Sequence, residues 1–347
     1  MSGADPRAQL DNPDRPDRPD RLDNPDRPDR PDNPDRPDNP DRPDRLDGLD
    51  HLATEAARPD LAELDLLPTE RIAELMNEGD TAVPLAVAGQ VPRIAAAVDA
   101  IAERMARGGR LVYAGAGTAG RLGVLDASEC PPTFNTAPGQ VTGMIAGGPQ
   151  ALVTSAEGAE DDADAARADL EEFGLTADDC VVGVSASGRT PYAVAAVEYA
   201  RAAGALTVGV ACNPDSPLAA AAEHPVEVVV GPELVAGSTR LKAGTAQKLV
   251  LNMLSTITMV RLGKTYGNLM VDVRASNEKL RARAHRIVVQ ATGAPDAEVA
   301  DVLKATGGEV KPAVLALAVG VDAATAARLL EEAGGHLRQA LNAAARG

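Results

Sequence analysis

Two acids and two glycine–hydroxyl turns are the residues of this chain with types and spacing suited to chemistry. The first turn is Gly115-Ala-Gly117-Thr118-Ala119-Gly120, directly behind the apolar run Arg110–Ala114. That order reads as strand, tight turn and helix. Such a turn presents backbone N–H groups, here from Gly117 and Thr118, to an anion. The helix behind it carries Glu129. The second turn, Ser185-Ala-Ser187-Gly188-Arg189-Thr190-Pro191, follows another apolar run and opens another helix, with Pro191 suited to a first helical turn. Its hydroxyls and N–H groups suit phosphate better than a plain capped loop would. Anion cradles with a carboxylate nearby point to acid–base chemistry on a phosphorylated small molecule.

Other uses of the same residues are weaker. Gly115–Gly120 matches the GxGxxG dinucleotide fingerprint, but no acid ends the next strand to hold a ribose. Gly263-Lys264-Thr265 lacks the first glycine of a Walker A loop. Cys130 sits beside Glu129 but has no His near it in sequence to activate it, so it reads as a small packing residue. Cys130, Cys180 and Cys212 fit no zinc spacing, are odd in number and read as reduced. His51, His224, His285 and His336 fall in tail, loop or helix-surface positions and read as structural.

Further residues could touch a ligand. Glu157 lies three positions before Glu160, on the same face if that stretch is helical, although solvated surface or capping suits it better. Glu233 follows a strand-like run and reads as a substrate contact. Ser238, Thr239, Arg240 and Lys242 precede a long helical pattern. They could hold phosphate or carboxylate, and capping by Ser238 or Thr239 fits equally well.

The elements that must position these residues follow from patterning. The chain has 347 residues, 44% hydrophobic and only 2% aromatic, so its core is aliphatic. Strand-like runs at 110–114, 141–146, 180–185, 206–211 and 226–230 alternate with helical patterns near 120–128, 160–173, 191–203, 216–223 and 243–262. This predicts an α/β fold with a doubly wound parallel sheet, which binds ligands at the carboxyl ends of its strands. Before it, Thr69 caps a short amphipathic helix within 64–76, and a second helix spans 84–105. Beyond Asn277 the pattern is helical only, near 278–290, 295–305, 310–319 and 322–333, a small all-helical appendage. Residues 4–47 are a degenerate Asp-Arg-Pro and Asp-Asn-Pro repeat, and the first 50 residues hold 11 of the 26 prolines. That composition predicts a disordered tail. The expected divisions are 1–48 tail, 49–100 N-terminal helices, 101–264 phosphosugar domain and 265–347 helical region.

A net charge of −17 argues against nucleic-acid or anionic-membrane binding. No run of 18 apolar residues and no signal peptide is read, so a soluble cytoplasmic protein is expected.

The stretches GAGTAGRLGVLDASECPPTF (115–134), MIAGG (144–148), EGAEDD (157–162), SASGRTPY (185–192), GPELVAGSTRLKAGTAQKLVLNMLST (231–256) and YGNLMVDVRASNEKL (266–280) resemble the N-acetylmuramic acid 6-phosphate etherase family. The resemblance runs in register from about residue 49 to the C-terminus. It implies a flavodoxin-like sugar-isomerase (SIS) domain, a homodimer with its active site near the subunit interface, and no cofactor. The implied activity cleaves the D-lactyl ether of N-acetylmuramic acid 6-phosphate with water, giving N-acetylglucosamine 6-phosphate and D-lactate in cell-wall sugar recycling. The family's two acids fall on Glu129 and Glu160, as acid and base respectively or with the roles exchanged. Family members usually read GAGTSGR in the first turn. Ala119 here removes one hydroxyl from a turn expected to face the ligand. A non-catalytic phosphosugar-binding regulator and a phosphosugar isomerase are the competing readings, and lactate release separates both from the etherase.

Overall fold

Short, mostly apolar runs rich in β-branched residues have no polar face to turn to water, and here they build a parallel sheet whose three inner strands are buried throughout. The computed structural model describes Leu52–Val273 and Glu278–Arg346. The tail at 1–48, the expected onset of order near Leu49, and His51 lie outside the described residues.

In chain order the elements are α1 (Thr69–Asp80), α2 (Ala82–Ala88), α3 (Val91–Ala106), β1 (Leu111–Gly115), α4 (Gly117–Phe134), β2 (Val141–Ile145), α5 (Ala163–Glu172), β3 (Cys180–Val184), α6 (Pro191–Ala202), β4 (Leu206–Ala211), α7 (Pro217–Ala221), β5 (His224–Glu227), α8 (Lys242–Arg261), α9 (Glu278–Thr292), α10 (Asp296–Ala305), α11 (Val310–Val319), α12 (Ala323–Glu332) and α13 (Leu337–Ala344). The sheet order is β2-β1-β3-β4-β5, all parallel. Every residue of β1, β3 and β4 is buried. Gly115 at the end of β1 pairs with Val184 at the end of β3, so the two glycine turns leave adjacent strands. The connection order reverses between β1 and β3, the switch point at which such sheets open a crevice.

Several boundaries differ from those the sequence predicts. The expected helix at 84–105 is two, α2 and α3, broken at Gly89-Gln90, with Pro92 in the first turn of α3. Thr69 is the first residue of α1 rather than its cap; Pro68 occupies the cap position with no side-chain bond. The run expected as a strand at 226–230 pairs only as His224–Glu227. It places His224 in a strand rather than a loop, and Pro225 is tolerated because β5 is an edge strand. Residues 160–162 form a 3-10 turn and cap, and α5 begins only at Ala163. The helix α4 runs through Pro131 and Pro132 to Phe134, where a stop near 128 is expected. Proline's fixed φ suits a helix, and buried Phe134 anchors the last turn although two N–H donors are missing. The helix α3 crosses residue 100, and its inner face from Ile94 to Met105 joins the sheet's own core.

The C-terminal helices close around a second core of Val, Leu, Ile and Ala. Lys311, almost fully buried, joins that core to the end of α8. Its Nζ donates to Asp272 Oδ2 at 2.8 Å and to the Gly335 carbonyl at 2.9 Å, while Lys264 pairs with the same carboxylate at 2.9 Å. The sequence reading stops at Gly334-Gly335; α13 lies beyond it and packs Leu337 and Ala340 into this core.

Candidate functional site

The first turn is shaped by close packing. A Cβ on Gly120 would sit 2.6 Å from the Gly115 carbonyl oxygen and 2.7 Å from Ile145 Cγ1, so only glycine lets α4 start this near the sheet. The helix begins at Gly117, leaving its first N–H groups without helical partners. Thr118 packs on the start of α8, where a Cβ on Gly244 would meet its Cγ2 at 3.4 Å. Ala119 is 7% exposed and packs with the main apolar core. The hydroxyl expected to be missing from the turn would point into that core.

A cavity of about 280 Å³ opens where this turn meets the loop between β2 and α5. Gly117 and Arg121 of α4, Ser155, Glu157 and Glu160 line it. Glu160 sits in the 3-10 turn Ala159–Asp161. That turn is held by Asp162, whose carboxylate accepts from the Ala165 N–H at 2.9 Å and caps α5. Arg121 donates Nε to the Leu152 carbonyl at 3.2 Å and Nη2 to the Thr154 carbonyl at 3.3 Å. Two residues of the resemblance, Gly117 and Glu160, thus meet at one cavity, together with Glu157 and with Arg121, which sequence reasoning did not single out.

Glu129 does not line that cavity. It lies on the exposed face of α4, twelve residues past Gly117, or roughly 18 Å along the axis. One turn earlier, buried Asp126 fixes the helix. It accepts from Tyr113 Oη at 2.8 Å, Asn252 Nδ2 at 2.6 Å and Ser255 Oγ at 3.1 Å, tying α4 to β1 and α8. Burial, then the Asp126 charge, push the Tyr113 phenol well above its ordinary range. Burial with the charges of Asp126 and Glu129 pushes the Cys130 thiol up to about 12, so it stays protonated at neutral pH and is a poor nucleophile.

The second turn is a hydroxyl network. Ser185 Oγ accepts from the Gly188 N–H at 3.0 Å and shares hydrogen bonds with Thr190 Oγ1 at 2.8 Å and Ser187 Oγ at 3.3 Å. The Arg189 N–H donates to Ser187 Oγ at 3.1 Å, and its side chain is exposed. Gly188 has φ +69°, and any Cβ there would collide with Ser216. A strap from the N-terminal segment braces this turn. Thr54 is 0% exposed; its N–H donates to Asn213 Oδ1 at 3.4 Å. Asn213 Nδ2 in turn donates to Thr54 Oγ1 and to the Ala186 carbonyl, both at 3.0 Å. Neither residue was legible as functional, since they lie 159 positions apart.

The residues before α8 differ from expectation. Neither Ser238 nor Thr239 caps the helix. Glu233, 1% exposed, does so: its carboxylate accepts from the N–H groups of Lys242 at 3.0 Å and Ala243 at 2.9 Å. Lys242 Nζ donates to the Val230 carbonyl at 2.8 Å. Burial holds its ammonium below the ordinary lysine range, with the Glu233 charge opposing. The geometry gives Glu233 a positioning task; Arg240 is exposed and Ser238 half-buried in the loop above.

Among the described residues no group of three or more His, Cys, Asp or Glu is arranged to hold a metal ion, and no single helix is long and apolar enough to cross a membrane. The donors at the two turns and the cavity are hydroxyls, backbone N–H groups, Arg and carboxylates. That set suits a phosphorylated, proton-exchanging ligand.

Sequence comparisons identify the domain and the family. Residues 93–201 match the glucokinase regulatory protein N-terminal SIS domain, and residues 165–257 the SIS domain. The chain is 75% identical over 293 residues to N-acetylmuramic acid 6-phosphate etherase of Streptomyces coelicolor, covering 84% of this chain and 94% of that protein. It is 60% identical over 290 residues to the protein of that name from Rubrobacter xylanophilus, covering 84% and 96%. For the one from Mycolicibacterium smegmatis the identity is 53% over 292 residues, covering 84% and 98%. The chain is an enzyme and belongs to the N-acetylmuramic acid 6-phosphate etherase family.

Proposed function

We propose that this enzyme cleaves the D-lactyl ether of N-acetylmuramic acid 6-phosphate with water, releasing N-acetylglucosamine 6-phosphate and D-lactate, as a cytoplasmic homodimer. The observation that carries the reading is the meeting of Glu160 with the Gly117 turn and Arg121 around one cavity. The second turn, Ser185–Thr190, lies on the adjacent strand and suits the 6-phosphate through its hydroxyls, its N–H groups and Arg189. Ser238 and Lys242, in the segment that leads into α8, are offered as further substrate contacts. Glu233 serves the site by fixing the start of that helix.

An alkyl ether is a poor leaving group, so the reaction must weaken the C3–O bond first. Opening of the sugar ring exposes an aldehyde at C1 and acidifies the C2 proton. Glu160 takes that proton. The C2–H pair becomes the C2–C3 double bond as the C3–O bond breaks, and a carboxylic acid protonates the departing lactate oxygen. Water then adds its hydroxyl to C3 and gives its remaining proton to the carboxylate left by the acid, while Glu160, its proton exchanged with solvent, protonates C2. The sequence needs one ionised and one protonated carboxyl.

Glu129 is the proposed acid, and its position calls for a second subunit. It lies roughly 12 Å along α4 even from Arg121, eight residues before it. Leu125, on the same face one turn earlier, is 54% exposed, an apolar neighbour suited to burial between subunits. In this reading Glu129 of the partner subunit completes each cavity. Incubation with N-acetylmuramic acid 6-phosphate and a D-lactate assay tests the function. Lactate from the wild type and none from Glu160→Gln is expected; sugar phosphate binding without lactate overturns it.

A further inference from the structure

We propose that Arg121 reads the lactyl carboxylate of the substrate, making it the residue that selects an ether-bearing sugar phosphate over the same sugar phosphate without the ether. This rests on the etherase reading.

The substrate class carries two anions, a phosphate and a carboxylate, and the protein has separate places for them. The second turn offers hydroxyls, backbone N–H groups and the exposed Arg189. The 280 Å³ cavity has one cationic side chain among its lining residues, Arg121, beside two acids, Glu157 and Glu160. Arg121 forms no ion pair with either acid, nor with any other described carboxylate. Arg110 provides the contrast. Its guanidinium is locked on Asp179 by bonds of 3.0 and 2.7 Å, and its charge is spent inside the protein.

The two bonds Arg121 does make orient it without neutralising it. Its Nε–H and one Nη2–H go to the Leu152 and Thr154 carbonyls. These lie on one edge of the guanidinium. Three of the five N–H donors remain, and they include the Nη1–Nη2 edge, the fork that receives a carboxylate bidentately. Arg121 follows Gly117 by four residues, so both occupy one face of α4 toward the cavity. In a chain of net charge −17, one fixed, unspent guanidinium at the cavity wall is what lets a carboxylate enter beside two acids. A carboxylate held there keeps the ether oxygen within the cavity that Glu160 lines. Its charge pairing also offsets the negative charge that builds on lactate as the C3–O bond breaks.

The test compares two ligands in three proteins, wild type, Arg121→Lys and Arg121→Met, each carrying Glu160→Gln so that the first ligand is bound and not cleaved. Calorimetry measures binding of N-acetylmuramic acid 6-phosphate and of N-acetylglucosamine 6-phosphate, which keeps the phosphate and lacks the lactyl group. Loss of a charge-assisted pair predicts roughly 10- to 150-fold weaker binding of the first ligand to Arg121→Met. Affinity for the second is expected to stay within about twofold. Arg121→Lys recovers part of the loss, because lysine supplies charge without the fork. With the carboxyl converted to a carboxamide, wild type is expected to fall to the level of Arg121→Met. Equal losses for both ligands, or none for either, overturn the proposal; equal losses would make Arg121 a brace for the Leu152–Thr154 loop. Failure of the wild type to release lactate overturns the etherase reading instead, and the ligand comparison reads Arg121 independently of it.

Discussion

The Glu233 carboxylate accepts hydrogen bonds from the backbone of Lys242 at 3.0 Å and of Ala243 at 2.9 Å, nine and ten residues further along the chain. One buried side chain thereby satisfies two orphan donors of the 20-residue helix α8 and places its charge at the positive end of the helix dipole. Glu233→Ala is expected to cost about 1–3 kcal/mol in urea unfolding, because it removes charge-assisted bonds and leaves two donors unmatched. Glu233→Gln should cost less, since its amide oxygen still accepts.

Asp126 holds α4 against both β1 and α8. Asp126→Ala strands the Tyr113 hydroxyl and the Asn252 and Ser255 donors in the interior, for an expected loss of about 2–4 kcal/mol. Lactate release measured well below the melting temperature should also fall, because Glu129 rides on the same turn. Full activity in a folded Asp126→Ala protein would contradict that coupling.

Acid sensitivity should trace to Asp179. Burial pushes its carboxyl up. The side-chain bonds from Arg110 and the Thr176 hydroxyl, with the backbone N–H bonds from Thr176 and Arg110, outweigh that and hold it below the ordinary carboxylate range. Its stabilisation is therefore fully present above the unfolded aspartate value near 4 and is lost as pH falls through the lower folded value. Asp179→Asn should flatten that acid limb in chemical-denaturation series. It should also lower stability near neutral pH by about 3 kcal/mol, as expected when one partner of a mostly buried pair is removed.

Ala119→Ser places a hydroxyl in the apolar core rather than in the cavity. The expectation is a KM within about twofold of the wild type and a loss of stability of about 1 kcal/mol. A several-fold fall in KM would show that position 119 does reach the ligand.

The strand–turn–helix units were legible because short, mostly apolar runs end at turn-forming residues such as glycine, serine or Asn-Pro, and one buried sheet accounts for all of them. The length of α4 was not, since Pro131-Pro132 reads as a stop unless one knows that Phe134 is anchored beyond it. The motif residues named both glycine turns and Glu160, but not the company they keep. Arg121 looks like any helical arginine until the Leu152–Thr154 loop folds over it. The Thr54–Asn213 clamp and the Glu233 cap join residues distant in sequence, so no local pattern marks them. The separation of Glu129 from the cavity follows from the unbroken run of α4 from Gly117 to Phe134, longer than the sequence predicts.

If Glu129 of the partner subunit completes the cavity, Glu129→Gln and Glu160→Gln should each be inactive alone. Mixing the two after subunit exchange should then restore roughly a quarter of wild-type activity, because half the dimers are mixed and one of their two cavities has both acids. No recovery, with exchange shown by tagged subunits, would place both acids in one chain.

The most direct measurement is turnover of N-acetylmuramic acid 6-phosphate in water labelled with oxygen-18 and deuterium, followed by mass spectrometry of both products. Elimination followed by hydration predicts oxygen-18 at C3 of the sugar, deuterium at C2 and unlabelled D-lactate, all lost in Glu160→Gln. Oxygen-18 in lactate, or an undeuterated C2 in the product, would contradict C3–O cleavage through proton abstraction.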